Sequence, residues 1–354
     1  MPIHDVGYRG WKGEKTSYLS RWWIICETGI RLAAKSKWVR RILFVAWLPV
    51  MYWGIGFFFV EKAIGVDDSI AAFAEFEEQT GIDMGRVQDQ VQINPTRLAI
   101  QQQLRNQFRM FPHANQLADA FESGDTARIR NDVWRWLLMV FFRYPQSILI
   151  LFLIGTVAPA LISRDLRSRA FLIYFSRPIG KLEYIFGKLC VPSAFIIAVT
   201  TLPALGLYIF AILMSPDLGV ILNTWDIPLR IVAATFVLVI PTASLALMLS
   251  SLTHESRYAN FSWFAVWALG AGAYRAIQIG ASMRLQKTPD HADVIAATEN
   301  WRLVSLYNCL GDVQEFVFGF QTFPEIWKAA MVLIGLTIFC LFTLYRRVSA
   351  PIQV

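Results

Sequence analysis

Apolar runs alternate with charged stretches along the whole of this chain. A transmembrane helix takes about 20 predominantly apolar residues, and six runs qualify: 42–60, 145–163, 189–214, 231–251, 259–280 and 329–345. Proline recurs in or beside these runs, at Pro49, Pro159, Pro192, Pro203 and Pro241. Each frees a backbone carbonyl that a neighbouring group must satisfy, so each predicts a kink. The pattern predicts an all-α polytopic membrane protein with six transmembrane helices, an N-terminal interfacial helix and small α-helical extracytoplasmic segments.

The pieces between the runs refine that outline. Residues 1–17 are polar, and from Tyr18 to Arg41 the chain mixes Trp22, Trp23, Ile25 and Trp38 with Arg21, Arg31, Arg40 and Arg41. This reads as a helix lying along the inner leaflet, with tryptophans at headgroup depth and cations toward phosphate. The segment 61–144 is too long for a simple connection, and its breaks at Gly81 and Pro95 divide it into short helices. Its apolar end, Trp134–Phe142, is interrupted by Arg143 and Pro145. One reading is an approach helix kinked into the second span at Pro145. The alternative is a continuous span with a buried Arg143, which lipid makes costly. In 281–328, two apolar stretches are broken at Gly311-Asp312, giving a re-entrant or surface hairpin.

Composition agrees with a membrane protein. Charged residues make up 17% of the chain, where soluble domains carry about 25%. With the N-terminus inside, the pieces 1–41, 164–188, 252–258 and 346–354 hold 18 of the 33 Lys and Arg but 6 of the 26 Asp and Glu. The outer pieces 61–133, 215–228 and 281–326 hold 10 basic and 20 acidic residues. Because the Lys/Arg bias sets orientation, both termini are expected in the cytoplasm and the chain in the inner (plasma) membrane. The net charge of +7 does not point to nucleic acid, since the cations sit at membrane edges where anionic lipid accounts for them.

The most informative stretch is 162–188, a charged island between the second and third spans. Leu166, Ala170, Ile173 and Tyr174 fall on one side of a helix, with Arg164, Arg167, Ser168 and Arg169 on the other. Pro178 should stop this helix, Gly180 gives a turn, and Lys188 stands at the foot of the next span. Together with Asp165, Arg169, Ser176-Arg177-Pro178, Lys181, Tyr184 and Gly187-Lys188, the layout resembles the cytoplasmic coupling segment of type-2 ATP-binding-cassette permeases. The helix before the first span is similar to the family's amphipathic elbow, and a plain membrane anchor is the other reading of it.

The resemblance implies a dimeric permease, as a homodimer or a paired permease, in which Asp165, Arg169, Arg177, Pro178, Lys181, Tyr184 and Lys188 couple the spans to an ATPase. It implies export as the commoner direction. No Walker A site is present: in GWKGEKTS, Glu14 stands where a glycine must precede Lys15. ATP and Mg are therefore expected on a separate ATPase subunit, with no cofactor on this chain. No carboxylate falls within the six runs, so an ion-coupled carrier is disfavoured. His4, His113, His254 and His291 are too scattered for a metal set. The substrate is not legible. The alternative function is a non-transporting scaffold whose outer segments bind a partner protein.

Overall fold

The computed structural model describes residues 21–62, 113, 117, 126–170, 179–215, 219–284 and 297–349. These residues form helices and contain no strand. The principal helices are α1 (Arg21–Ala34), α2 (Lys37–Lys62), α3 (Thr126–Arg167), α4 (Lys181–Met214), α5 (Asp226–Leu252), α6 (Ser256–Arg284), α7 (Leu306–Phe318) and α8 (Phe323–Ser349). Five of them, α2 to α5 and α8, are long and apolar enough to cross a membrane. The sixth expected span corresponds to α6, whose 29 residues suffice in length. Its Arg275, Asn260, glycines and aromatic residues make it less apolar than the others.

The two N-terminal helices divide earlier than the sequence suggests. A break at Ser36, with extended backbone at φ −66° and ψ 127°, separates α1 from α2. Arg40 and Arg41 thus belong to the first turns of α2 and not to the interfacial helix; both are exposed, and the Arg41 guanidinium lies 5.5 Å from the Trp38 ring centroid. Trp23 is exposed, whereas Trp22 is half-buried and packs edge-on against Phe186 of α4.

Glycine sets how closely α1 approaches α4. A Cβ on Gly187 would fall 2.8 Å from the Trp22 carbonyl oxygen, and one on Gly29 would fall 2.5 Å from Cγ2 of Val191. The Gly187 contact is with backbone and leaves no room for a larger residue, whereas the Gly29 contact is with a valine methyl, so α1 and α4 come closest at Gly187, as small residues allow between membrane helices.

In α3 the expected division at Pro145 is absent. The chain runs as one 42-residue helix from Thr126 to Arg167, about 63 Å at 1.5 Å per residue. That is about twice the apolar thickness of a bilayer, so part of α3 must lie outside it. Residues Phe142–Gln146 absorb Pro145 as a π-helical stretch, which lets the helix continue past a missing amide donor. The Ser147 hydroxyl donates to the carbonyl of Phe142 at 3.0 Å, and the Gln146 amide reaches Ala46 O of α2 at 3.4 Å.

Pro159 opens α3 a second time, and α5 fills the gap. The Ser250 hydroxyl donates to the Pro159 carbonyl at 2.8 Å and accepts from the amides of Ile162 and Ser163, both at 3.1 Å. A side chain inserted into the helical ladder in this way fixes a bend.

The stretch before α8 turns back into the bundle. Glu299–Val304 is a 3₁₀ helix leading to Ser305 and α7. A Cβ on Gly270, midway along α6, would meet the Val304 carbonyl at 3.1 Å. Leu310 shares a cavity wall with Leu238, near the middle of α5, and Arg230, one turn into α5, donates to Val317 O at 2.6 Å. Hence Ser305 is the deep tip of a re-entrant hairpin, and α7 climbs outward from it. The expected break at Gly311-Asp312 does not exist, because α7 runs straight through both residues.

Replacing Gly187 with valine should separate α1 from α4. Cys26 is only 2% exposed, and in the variant it is expected to react with a maleimide far faster than in the native protein, read by mass spectrometry. Unchanged labelling would show that the seam tolerates the side chain.

Candidate functional site

Three of the residues singled out in 162–188 meet at the base of α3 and α4. Lys188 Nζ lies 2.7 Å from Asp165 Oδ2 and donates to the Leu161 carbonyl at 2.9 Å. The Tyr184 hydroxyl donates to the same carboxylate oxygen at 2.7 Å. Tyr184 is fully buried, and Lys188 is 7% exposed. The ammonium also stands 5.5 Å from the Tyr184 ring centroid, in range for a cation–π contact. Tyr184 and Lys188 are four residues apart on α4 and so share a face, and Asp165 reaches them from the last turn of α3.

The helix expected to begin here instead ends here. The amide of Ala170 bonds to the carbonyl of Asp165 at 3.0 Å, and that of Arg169 bonds to Leu166 O at 3.4 Å. Arg169 has φ +52°. This is a Schellman cap with arginine at the left-handed position that glycine usually takes, so α3 stops at Arg167, and the remainder of the expected coupling helix, 171–178, lies outside the described residues. The Arg169 side chain is exposed. Gly180 opens α4, its amide donating to the Glu183 carboxylate at 3.0 Å, with exposed Leu182 and half-buried Lys181 in the first turn. Arg177 and Pro178 lie outside the described residues.

The same end of the bundle carries a second tie. Arg167 Nη1 stands 3.3 Å from Glu255 Oε1, joining the end of α3 to the turn between α5 and α6. Both side chains are substantially exposed, so this pair contributes little by itself.

A second polar cluster, which sequence reasoning missed, lies where the hairpin meets α3. Glu315 of α7 is 2% exposed and stands 3.2 Å from Arg143 Nη1, itself 8% exposed at residue level. Glu315 Oε2 also takes His113 Nε2 at 3.0 Å and Gln321 Nε2 at 2.5 Å. Burial disfavours charge on Glu315, but the His113 hydrogen bond and the Arg143 charge outweigh it and hold the carboxyl below its usual range. Arg302 pairs with Asp312 beside it. A Cβ on Gly311 would coincide with the Arg143 guanidinium, so glycine is required there.

The six apolar runs hold no carboxylate, but a segment outside them folds back and brings Glu315 in among the helices. The signal in the sequence was Arg143 itself: an arginine in an apolar run needs a buried partner. Its partner is 172 residues away and could not be read from spacing. Arg275, in contrast, is exposed and bonds only locally, to Gln278 at 3.2 Å. Among the described residues no group of His, Cys, Asp and Glu could hold a metal ion.

Replacing Lys188 with methionine would leave the partly buried Asp165 carboxylate without its cation, a change that costs less than the about 3–5 kcal/mol of fully buried pairs. The single variant is expected to unfold at a markedly lower temperature in detergent, and the double variant Asp165→Asn/Lys188→Met to recover most of the loss. Equal destabilisation in both would mean that the pair is not coupled.

The comparisons with known proteins bear on the whole chain. No curated protein and no solved structure matches it. The sequence pattern that defines the ABC-2 family transporter protein matches residues 27–346, from within α1 to the last turn of α8. Among the described residues, five apolar helices of spanning length, a re-entrant hairpin and the Asp165–Tyr184–Lys188 clasp lie within the matched region. It belongs to the ABC-2 transporter family, as a multi-pass membrane permease subunit.

Proposed function

We propose that this permease is an exporter driven by a separate ATPase subunit that docks where α3 turns into α4. The single observation that supports this most is the clasp of Asp165, Tyr184 and Lys188. A shared carboxylate oxygen holds the ends of two spans together at 2.7 Å from each partner. A push on the turn between them would therefore move both spans as one body. In this reading Arg169, Arg177, Pro178 and Lys181 form or shape the contact with the ATPase, and the clasp transmits its closure.

The inserted Ser250 gives the motion a place to bend. Pro159 lies about one and a half turns before Asp165, so the foot of α3 can pivot while its upper part stays packed. The pair Arg167–Glu255 would carry the same displacement to α5 and α6. Both termini and the clasp face the cytoplasm, α6 makes the sixth crossing, and the protein works as a dimer of permeases in the inner (plasma) membrane. ATP and Mg are held by the partner.

A detergent pull-down from the native membrane tests this directly, with native protein compared against the variant Arg177→Glu/Lys181→Glu. An ATPase subunit is expected to copurify with the native chain and to be lost from the variant. If an ATPase binds both equally, docking lies elsewhere. If none binds either under gentle conditions, the scaffold reading replaces this one.

A further inference from the structure

The re-entrant hairpin encloses a small cavity against α3, α5 and α6. Its wall includes Arg143, Ser147, Trp267, Tyr307, Gly311 and Gln314, and its centre has room for about one water-sized group. Three polar atoms of these residues are closed to solvent and have no hydrogen-bond partner among the described residues: Arg143 Nη1, Gln314 Nε2 and Trp267 Nε1. Arg143 Nη1 stands 3.2 Å from Glu315 Oε1, but out of line for a hydrogen bond, so the ion pair leaves its N–H unused. Gln314 is 3% exposed and Arg143 8%.

All three of these atoms are donors. The hydroxyls beside them have already placed their protons, Ser147 on Phe142 O at 3.0 Å and Tyr307 on Arg143 O at 3.1 Å. α7 presents one flank to the cavity, with Tyr307, Leu310, Gly311 and Gln314 in the wall. Leaving three buried donors without acceptors is costly, because each loses its hydrogen bonds to water and gains none in return. A water molecule would bring two further protons to place, whereas an anion brings none. Glu315 accepts from His113 and Gln321 and takes a hydrogen bond from none of the three donors.

We propose that this cavity binds one halide-sized inorganic anion, held by Arg143, Gln314 and Trp267. The anion ties α7 to α3 at the π-helical stretch and to α6 through Trp267, so it fixes the hairpin at the depth where it is found. This assignment is independent of where an ATPase docks.

The test is thermal unfolding of the full chain in detergent, with sodium bromide titrated against sodium gluconate at constant ionic strength. Gluconate is too large for the cavity. The native protein is expected to gain stability saturably with bromide, as for any ligand that binds only the folded state. Trp267→Phe keeps the ring bulk and removes one donor, and Gln314→Leu removes another. In each, half-saturation should move to roughly tenfold higher bromide, the effect of losing one buried hydrogen bond. Identical midpoints in bromide and gluconate would overturn the proposal and leave a water in the cavity. So would a non-saturating rise that is the same in native protein and variants, which is a general salt effect.

Discussion

A charge shut away from water must find its partner inside the protein, and the architecture follows from where these partners are. Each buried pair pins two segments that are distant along the chain. Asp165 and Lys188 join the ends of α3 and α4. Arg143 and Glu315 join α3 to the re-entrant hairpin. Glu61 and Arg130 join the far end of α2 to the start of α3, where Trp134 donates to the same carboxylate at 2.8 Å. Breaking a pair of this kind strands the other charge, so these contacts hold a register among helices whose apolar surfaces alone give little direction in lipid.

The pairs cluster at different heights of the bundle. At one end the clasp makes a rigid joint of the two spans that flank the charged turn. At the other, Arg130 and Glu61 fasten the outer part of α3, and Arg230 holds the emerging end of α7 through Val317 O. Between them lie the two interruptions of α3, at Pro145 and Pro159. The first is a π-helical stretch beside the hairpin. The second is propped by Ser250. A helix with anchored ends and two interrupted turns can bend without losing its anchors.

Much of this was legible in advance. Five of the six apolar runs reappear in helices of spanning length, and the sixth lies in α6. Asp165, Tyr184 and Lys188 were singled out by the resemblance to type-2 permeases, and the fold brings them into contact. The helix ends were read less well. Leu166 and Ala170 continued a helical period past Arg167, but a Schellman cap stops α3 there, with Arg169 in a left-handed conformation that its residue type does not advertise. Pro145 looked like a boundary because proline removes a donor. A π-helical turn and the Ser147 hydroxyl supply the compensation, and neither has a signature in local sequence.

The sequence by itself determined the helical class, the approximate spans and the charge asymmetry, because these depend on composition and on the order of residues along the chain; the resemblance pointed to Asp165, Tyr184 and Lys188, and the fold brought them together. Only the tertiary structure decided that Glu315 lies inside the bundle and that Gly311 must be a glycine to admit Arg143. Tertiary structure also decided that Gly187 and Gly29 set the approach of α1 to α4. Those facts depend on contacts between segments far apart in the chain. Periodicity tells which face of a helix is apolar, but not which neighbour will cover it.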